Sequence, residues 1–159
     1  MKMPTEIALW IQEILLGLDG EEWGITYVTC RMSAIGKDDV ERWQYSVDLI
    51  YRMLICDLVD VHNFMECHDK PSLLDEIRKV SPFQDLGGFL WNGTQIHGTT
   101  RLGALIQSYF PPPQQRDGKL NPAFIEALEA IFAEKGVAWL DMPLLPIKPI
   151  VGMAAPAQE

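Results

Sequence analysis

Basic side chains, cysteines and long apolar runs are all scarce in this sequence. The 159 residues carry 13 Lys and Arg against 22 Asp and Glu, a formal charge of −9. Nucleic-acid affinity rests largely on cations that neutralise phosphates, and anionic membrane surfaces attract the same sign of charge. Neither partner is therefore expected, and Arg31, Lys37, Arg42 and Arg52 are dispersed rather than clustered. Cys30, Cys56 and Cys67 are too few, and odd in number, for a disulfide framework. No run of about 18 apolar residues exists, which removes a membrane-spanning helix. Met1–Leu16 lacks a basic leader and a small-residue cleavage site, and Glu6 and Glu13 interrupt its apolar residues. It does not read as a secretory signal, so a cytoplasmic location is the expectation.

Chemistry-bearing motifs are also lacking. Gly87-Gly88 and the run Gly98 to Gly103 fit neither G-x4-G-K-[ST] nor a strand-linked G-x-G-x-x-G, and no G-x-S-x-G elbow occurs. Cys67-His68-Asp69 contains the residue types of nucleophilic catalysis. Adjacent side chains rarely align as nucleophile, base and orienter, so a polar turn is the favoured reading. His62, Cys67 and His68 lack the second ligand pair that zinc sites use, and Cys30, Cys56 and His97 are scattered. No metal site, cofactor or catalytic residue is expected.

What is present is the material of one globular domain, with 48% apolar residues and five tryptophans. Thr5 reads as the cap of a first helix carrying Ile7, Trp10, Ile11, Ile14, Leu15 and Leu18 at helical spacing, ended by Gly17 and Gly20. Residues 23–31 suit either a strand or a short helix. Asp38 and Asp39 open the strongest element, a stripe through Val40, Trp43, Val47, Ile50, Leu54, Leu58 and Val61. Asp38–Arg42 and Asp48–Arg52 are placed as i,i+4 pairs on it, and its last turn could instead pass into an extended segment over Val59–Phe64. Asp69-Lys70-Pro71 starts a short helix with Asp75–Lys79 paired outside. Phe89-Leu90-Trp91, Asn92-Gly93 and Thr94-Gln95-Ile96 give a hairpin signal, because Asn-Gly supplies the positive φ angles of a type I′ turn. Thr99 or Thr100 caps another helix, and Asn121, Pro122 and Gly136 bracket the last one. The predicted fold is mainly α: a single-domain helical bundle over residues 1–141 with a small β-hairpin, winged-helix-like in outline. A Pro-rich extended tail, frayed at its end, follows over residues 142–159 (Pro143, Pro146, Pro149, Pro156).

The charge is uneven. Residues 1–90 hold 16 acids and 8 bases, and residues 91–159 hold 6 and 5. Acid density singles out Asp60, Glu66, Asp69, Asp75 and Glu76 as a partner-binding surface, with Asp19, Glu21 and Glu22 second. A groove-reading helix would be basic, yet residues 38–62 hold six acids and two arginines.

The run Val47-Asp48-Leu49-Ile50-Tyr51-Arg52-Met53-Leu54, continuing through Leu73–Pro82 to Trp91 and Tyr109-Phe110-Pro111, resembles the immunity proteins that accompany bacterial polymorphic toxins. Those of contact-dependent inhibition and type VI secretion are included. The resemblance implies a cytosolic, non-enzymatic protein that binds one cognate toxin domain, often a basic nuclease, and occludes its active site. It carries over no individual residue. Two other classes compete: a winged-helix-like adaptor or transcriptional regulator acting through protein contacts, and a small hydrolase using Cys67 or a carboxylate pair.

Overall fold

The structure, a computed structural model, describes residues 2–30, 32–35, 38–64, 67–84, 87–112 and 117–150. Among these residues the fold is mainly α, with a small antiparallel sheet. Helix α1 (Thr5–Leu18) buries Ile7, Trp10, Ile11, Ile14, Leu15 and Leu18, as its spacing predicts. Its cap is Pro4 rather than Thr5, and the Pro4 carbonyl accepts the Ala8 N–H at 2.9 Å. Gly17 lies inside the helix rather than ending it. A Cβ there would fall 1.8 Å from the Tyr27 hydroxyl, so the residue is needed for close approach. Residues 23–31 divide between both predicted states: β1 (Glu22–Gly24) leads into a 3₁₀ turn, Ile25–Thr29.

Helix α2 (Asp39–Ile55) is capped by the Asp38 carboxylate, which accepts the Glu41 N–H at 2.9 Å. The apolar stripe does not stay helical to Val61. Asp57 takes a φ of 55°, and the Leu58 N–H reaches back to the Met53 carbonyl at 3.0 Å. That six-to-one bond closes the helix end. The β-branched residues beyond it then alternate as strand β2 (Val59–Asn63), the extended alternative. Arg42 pairs with Asp39 at 3.7 Å rather than with Asp38, which is occupied as the cap.

The predicted hairpin is not formed. Residues Gly88–Gly93 make a short helix, α4, and neither Asn92 nor Gly93 adopts the positive φ of a type I′ turn. Helical spacing lets Leu90 and Trp91 both enter the core, and the Trp91 indole donates to the Val80 carbonyl at 2.7 Å. Strand β3 (Gln95–Gly98) follows and pairs with distant strands instead. It lies between β1 and β2, with Glu22 and Asp60 both opposite His97. Three strands backed by helices outcompete a two-stranded ribbon, which is marginal by itself. Gly98 closes the sheet against α1, since a Cβ there would meet the Leu18 carbonyl oxygen at 2.6 Å.

Helix α3 (Lys70–Ile77) is capped by Asp69, α5 (Thr100–Tyr109) by Thr99, and α6 (Pro122–Glu134) by Asn121. Thr99 and Arg101 also cover the end of α2, donating to the Asp57 and Cys56 carbonyls at 2.6 and 2.9 Å.

The chain from residue 137 to residue 150 is extended and held along α2 and α3 by side chains. Gln44, Asp48 and Arg52 stand four residues apart on α2, so they share one face. Arg52 is buried and donates to the Val137 and Ala138 carbonyls at 2.9 and 2.8 Å, and to the Asp48 carbonyl at 3.1 Å. Its guanidinium lies 4.4 Å from the Trp139 ring centroid. Gln44 donates to the Leu145 carbonyl at 3.0 Å and accepts the Ile147 N–H at 2.9 Å, while Asp48 accepts the Leu145 N–H at 3.1 Å. Leu144, Leu145 and Ile147 pack on the core. The end of the expected tail, with Pro156, lies outside the described residues.

Removing Arg52 leaves two strap carbonyls unpaired and Asp48 without its neighbouring positive charge. Arg52→Met is expected to lower stability by about 3–5 kcal/mol, as loss of one member of a buried charged network does. Arg52→Lys should recover only part, because one ammonium cannot span the fork of carbonyls. Urea unfolding midpoints measure both; a wild-type midpoint in Arg52→Met would show that the segment is held by other means.

Candidate functional site

Strand alternation sorts the sheet into two faces. Ile96 and Val59 turn to the core. Glu22, Asp60 and His97 occupy the other face, because Glu22 and Asp60 are both in register with His97, and His62 reaches the same cluster from the point where the ladder shifts register. Each strand thus supplies one member of a Glu22–His62–His97 cluster whose ligand atoms all lie within 4.8 Å of one another. Glu22 Oε2 and His62 Nδ1 are in direct contact, and the His62 and His97 rings meet edge to face at 6.1 Å. The register irregularity between Val61 and Asn63 lies beside His62. His97 is half-buried, and its Nδ1 is shut from solvent with no hydrogen-bond partner among the described residues.

Of the acids picked out by density, Glu22 and Asp60 meet here. Asp19 is the C-cap of α1, Glu21 is exposed just before β1, and Glu22 is the first residue of β1. Asp60 pairs with Lys70 at 2.8 Å, which carries the band onto α3. Asp69 caps that helix, and Asp75 and Glu76 near its end share Lys79 at 2.5 and 3.1 Å. The acidic band thus joins β1 and β2 on either side of His97 and reaches the first turn of α3 through Lys70, with Lys70 and Lys79 offsetting part of the charge. Glu66 lies outside the described residues. Trp23, between Glu22 and Gly24, is 45% exposed and stacks on Tyr27 at 5.1 Å.

Cys67-His68-Asp69 forms the polar turn ahead of α3. Asp69 and Ser72 make a reciprocal capping box, the Asp69 side chain accepting the Ser72 N–H at 2.8 Å. Those bonds hold its carboxyl below the usual range. Cys67 is buried and His68 exposed. Gly87 caps α4 and Thr99 caps α5. A separate cleft of about 340 Å³ is lined by Glu41, Tyr45, Asp48, Trp139 and Asp141. Burial pushes the Asp48 carboxyl up in pKa, against the Leu145 N–H and Arg52. Its oxygen already serves the strap, which makes its role architectural.

Sequence reasoning set His97 aside as scattered, and so missed its convergence with Glu22 and His62. The one available signal was the Asp60-x-His62 alternation, which marks one face of a strand. Comparison with protein-family models, curated proteins and solved structures gives no match.

The Lys70 hydrogen bond holds the Asp60 carboxyl below its ordinary range, while partial burial acts the other way. A carboxyl depressed by folding contributes stability above its unfolded pKa, and the contribution disappears as pH falls through the folded value. In Lys70→Ala the Asp60 midpoint should rise toward that of an ordinary carboxyl. The stability gap between the two proteins should close on acidification. Carboxyl-detected NMR titration reads the midpoint, and an unmoved Asp60 would refute the pairing.

Proposed function

We propose that this chain is an immunity protein: it binds a cationic toxin domain, of the kind formed by basic nucleases, through the acidic band and occludes the toxin's active site. The observation that carries this reading is the register that sets Glu22 and Asp60 on either side of His97, so that carboxylates of two strands share one face of the sheet. Trp23, opposite Ile96 and so on the other face of this edge strand, is 45% exposed at the margin of that surface. Carboxylates spaced along a surface offer a nuclease the charge it expects from phosphates, and they speed encounter with a basic partner. The resemblance to immunity proteins points the same way. Among the described residues no helix is long and apolar enough to cross a membrane.

A second reading, an adaptor or regulator of winged-helix outline, draws support from the three-stranded antiparallel sheet set among helices. It would act through protein contacts. The Gln44–Asp48–Arg52 face of α2 is covered by residues 137–147, and acids stand in its first turn, so α2 does not suit a nucleic-acid groove. The apolar face of α1 is buried within the chain, which disfavours dimerisation through it.

Co-expression with the protein encoded immediately upstream of the chain's gene separates these readings. Immunity requires that the upstream product arrest growth alone and that this chain relieve the arrest. Glu22→Lys/Asp60→Lys should weaken the complex by about 2 kcal/mol or more, roughly thirtyfold in Kd. Asp69→Lys/Asp75→Lys/Glu76→Lys should slow association and flatten its salt dependence. A harmless upstream product, or full protection by both variants, would sink the proposal.

A further inference from the structure

We propose that Glu22, His62 and His97 form a binding site for one divalent transition-metal ion of the zinc class, joining all three strands of the sheet. The site would exist whether or not the acidic band binds a protein.

Three observations converge. The first is the donor set: two imidazoles and one carboxylate suit zinc and its neighbours, whereas magnesium and calcium favour oxygen alone. Three protein ligands are also what zinc takes when its remaining position is left to water. The second is geometry. Bonds of about 2.0–2.1 Å in a tetrahedron put ligand atoms roughly 3.3 Å apart. The three donors already lie inside 4.8 Å. Side-chain rotation closes the difference, since the His62 and Glu22 side chains are 62% and 36% exposed. The backbone needs no adjustment, because strand register already places Glu22 beside His97.

The third is the state of His97. Its Nδ1 is buried without a hydrogen-bond partner among the described residues, so the protein itself serves this ring poorly. Imidazoles in cores normally have both nitrogens engaged. A cation held with Glu22 and His62 would give the ring a strong contact that its surroundings do not supply. A plain surface pair between Glu22 and His62 accounts for neither His97 nor the convergence of three strands. Asp60, opposite His97 in the ladder, adds negative charge within electrostatic reach of the imidazole.

The consequence is a staple. Residues 22, 62 and 97 are brought together only by folding, so an ion that binds them stabilises the folded sheet by mass action. It would also fix the strand that carries Trp23.

The test uses the full chain carrying Cys30→Ser, which removes the exposed thiol as a competing ligand. Co²⁺ is the spectroscopic probe, and Zn²⁺ is titrated by calorimetry. The expected result is one ion per chain, with the ligand-field absorption of four- or five-coordinate Co²⁺. Zn²⁺ at about 100 times its Kd should raise Tm by roughly 5–10 °C. His62→Ala and Glu22→Gln change exposed side chains and leave the core alone. Each should weaken Co²⁺ binding by at least the roughly tenfold that even an outer-shell loss costs a metal site. His68→Ala, outside the cluster, should bind as before. No binding, several weakly held ions per chain, or equal binding by His62→Ala would overturn the proposal.

Discussion

The buried guanidinium of Arg52 is the constraint around which the C-terminal third of the fold is arranged. A cation cannot sit among Phe132, Trp139 and Val137 unless its donors are used. Extended chain meets that demand better than a helix would, because its carbonyls are not already bonded to their own backbone. Gln44 and Asp48 extend the same logic along α2, treating residues 144–147 much as a neighbouring strand would. Burial pushes Asp48 up and Arg52 down in pKa, and each opposes the shift in the other. The network is therefore mutually dependent: no member is well accommodated without the rest.

Covering α2 in this way removes the Gln44–Asp48–Arg52 face from the surface, while the outer face of the sheet and the exposed side of α3 stay open to solvent. That face is polar because β3 sits in the middle of the sheet: its Ile96 is wholly buried, and the next residue, His97, must then point outward between Glu22 and Asp60. The histidine cluster and the acidic band are two consequences of one strand pairing.

Much of the architecture was legible beforehand. Asp38, Asp69, Thr99 and Asn121 all cap the helices that their positions announce, since a cap depends on a side chain and the amides within three residues of it. The strand–helix ambiguity of residues 23–31 reflects a real mixture of β1 and a 3₁₀ turn. The hairpin signal at Asn92-Gly93 failed for the complementary reason. Its local turn preference was outweighed by burial of Trp91 and by two strand edges far away in the chain. The apolar stripe through Val61 misled because residues inward on a helix and residues inward on a strand look alike over a few positions.

The sequence by itself determined most of the helices, the caps at Asp38, Asp69, Thr99 and Asn121, the acidic balance and the lack of a familiar catalytic motif, all of which depend on neighbours a few residues apart. Only tertiary structure decided that Arg52 would bind the carbonyls of residues 137 and 138. It alone decided that Glu22, His62 and His97 would converge. Strand register and buried charge networks join positions separated by tens of residues. No local preference encodes such partners; the packing of the whole core selects them.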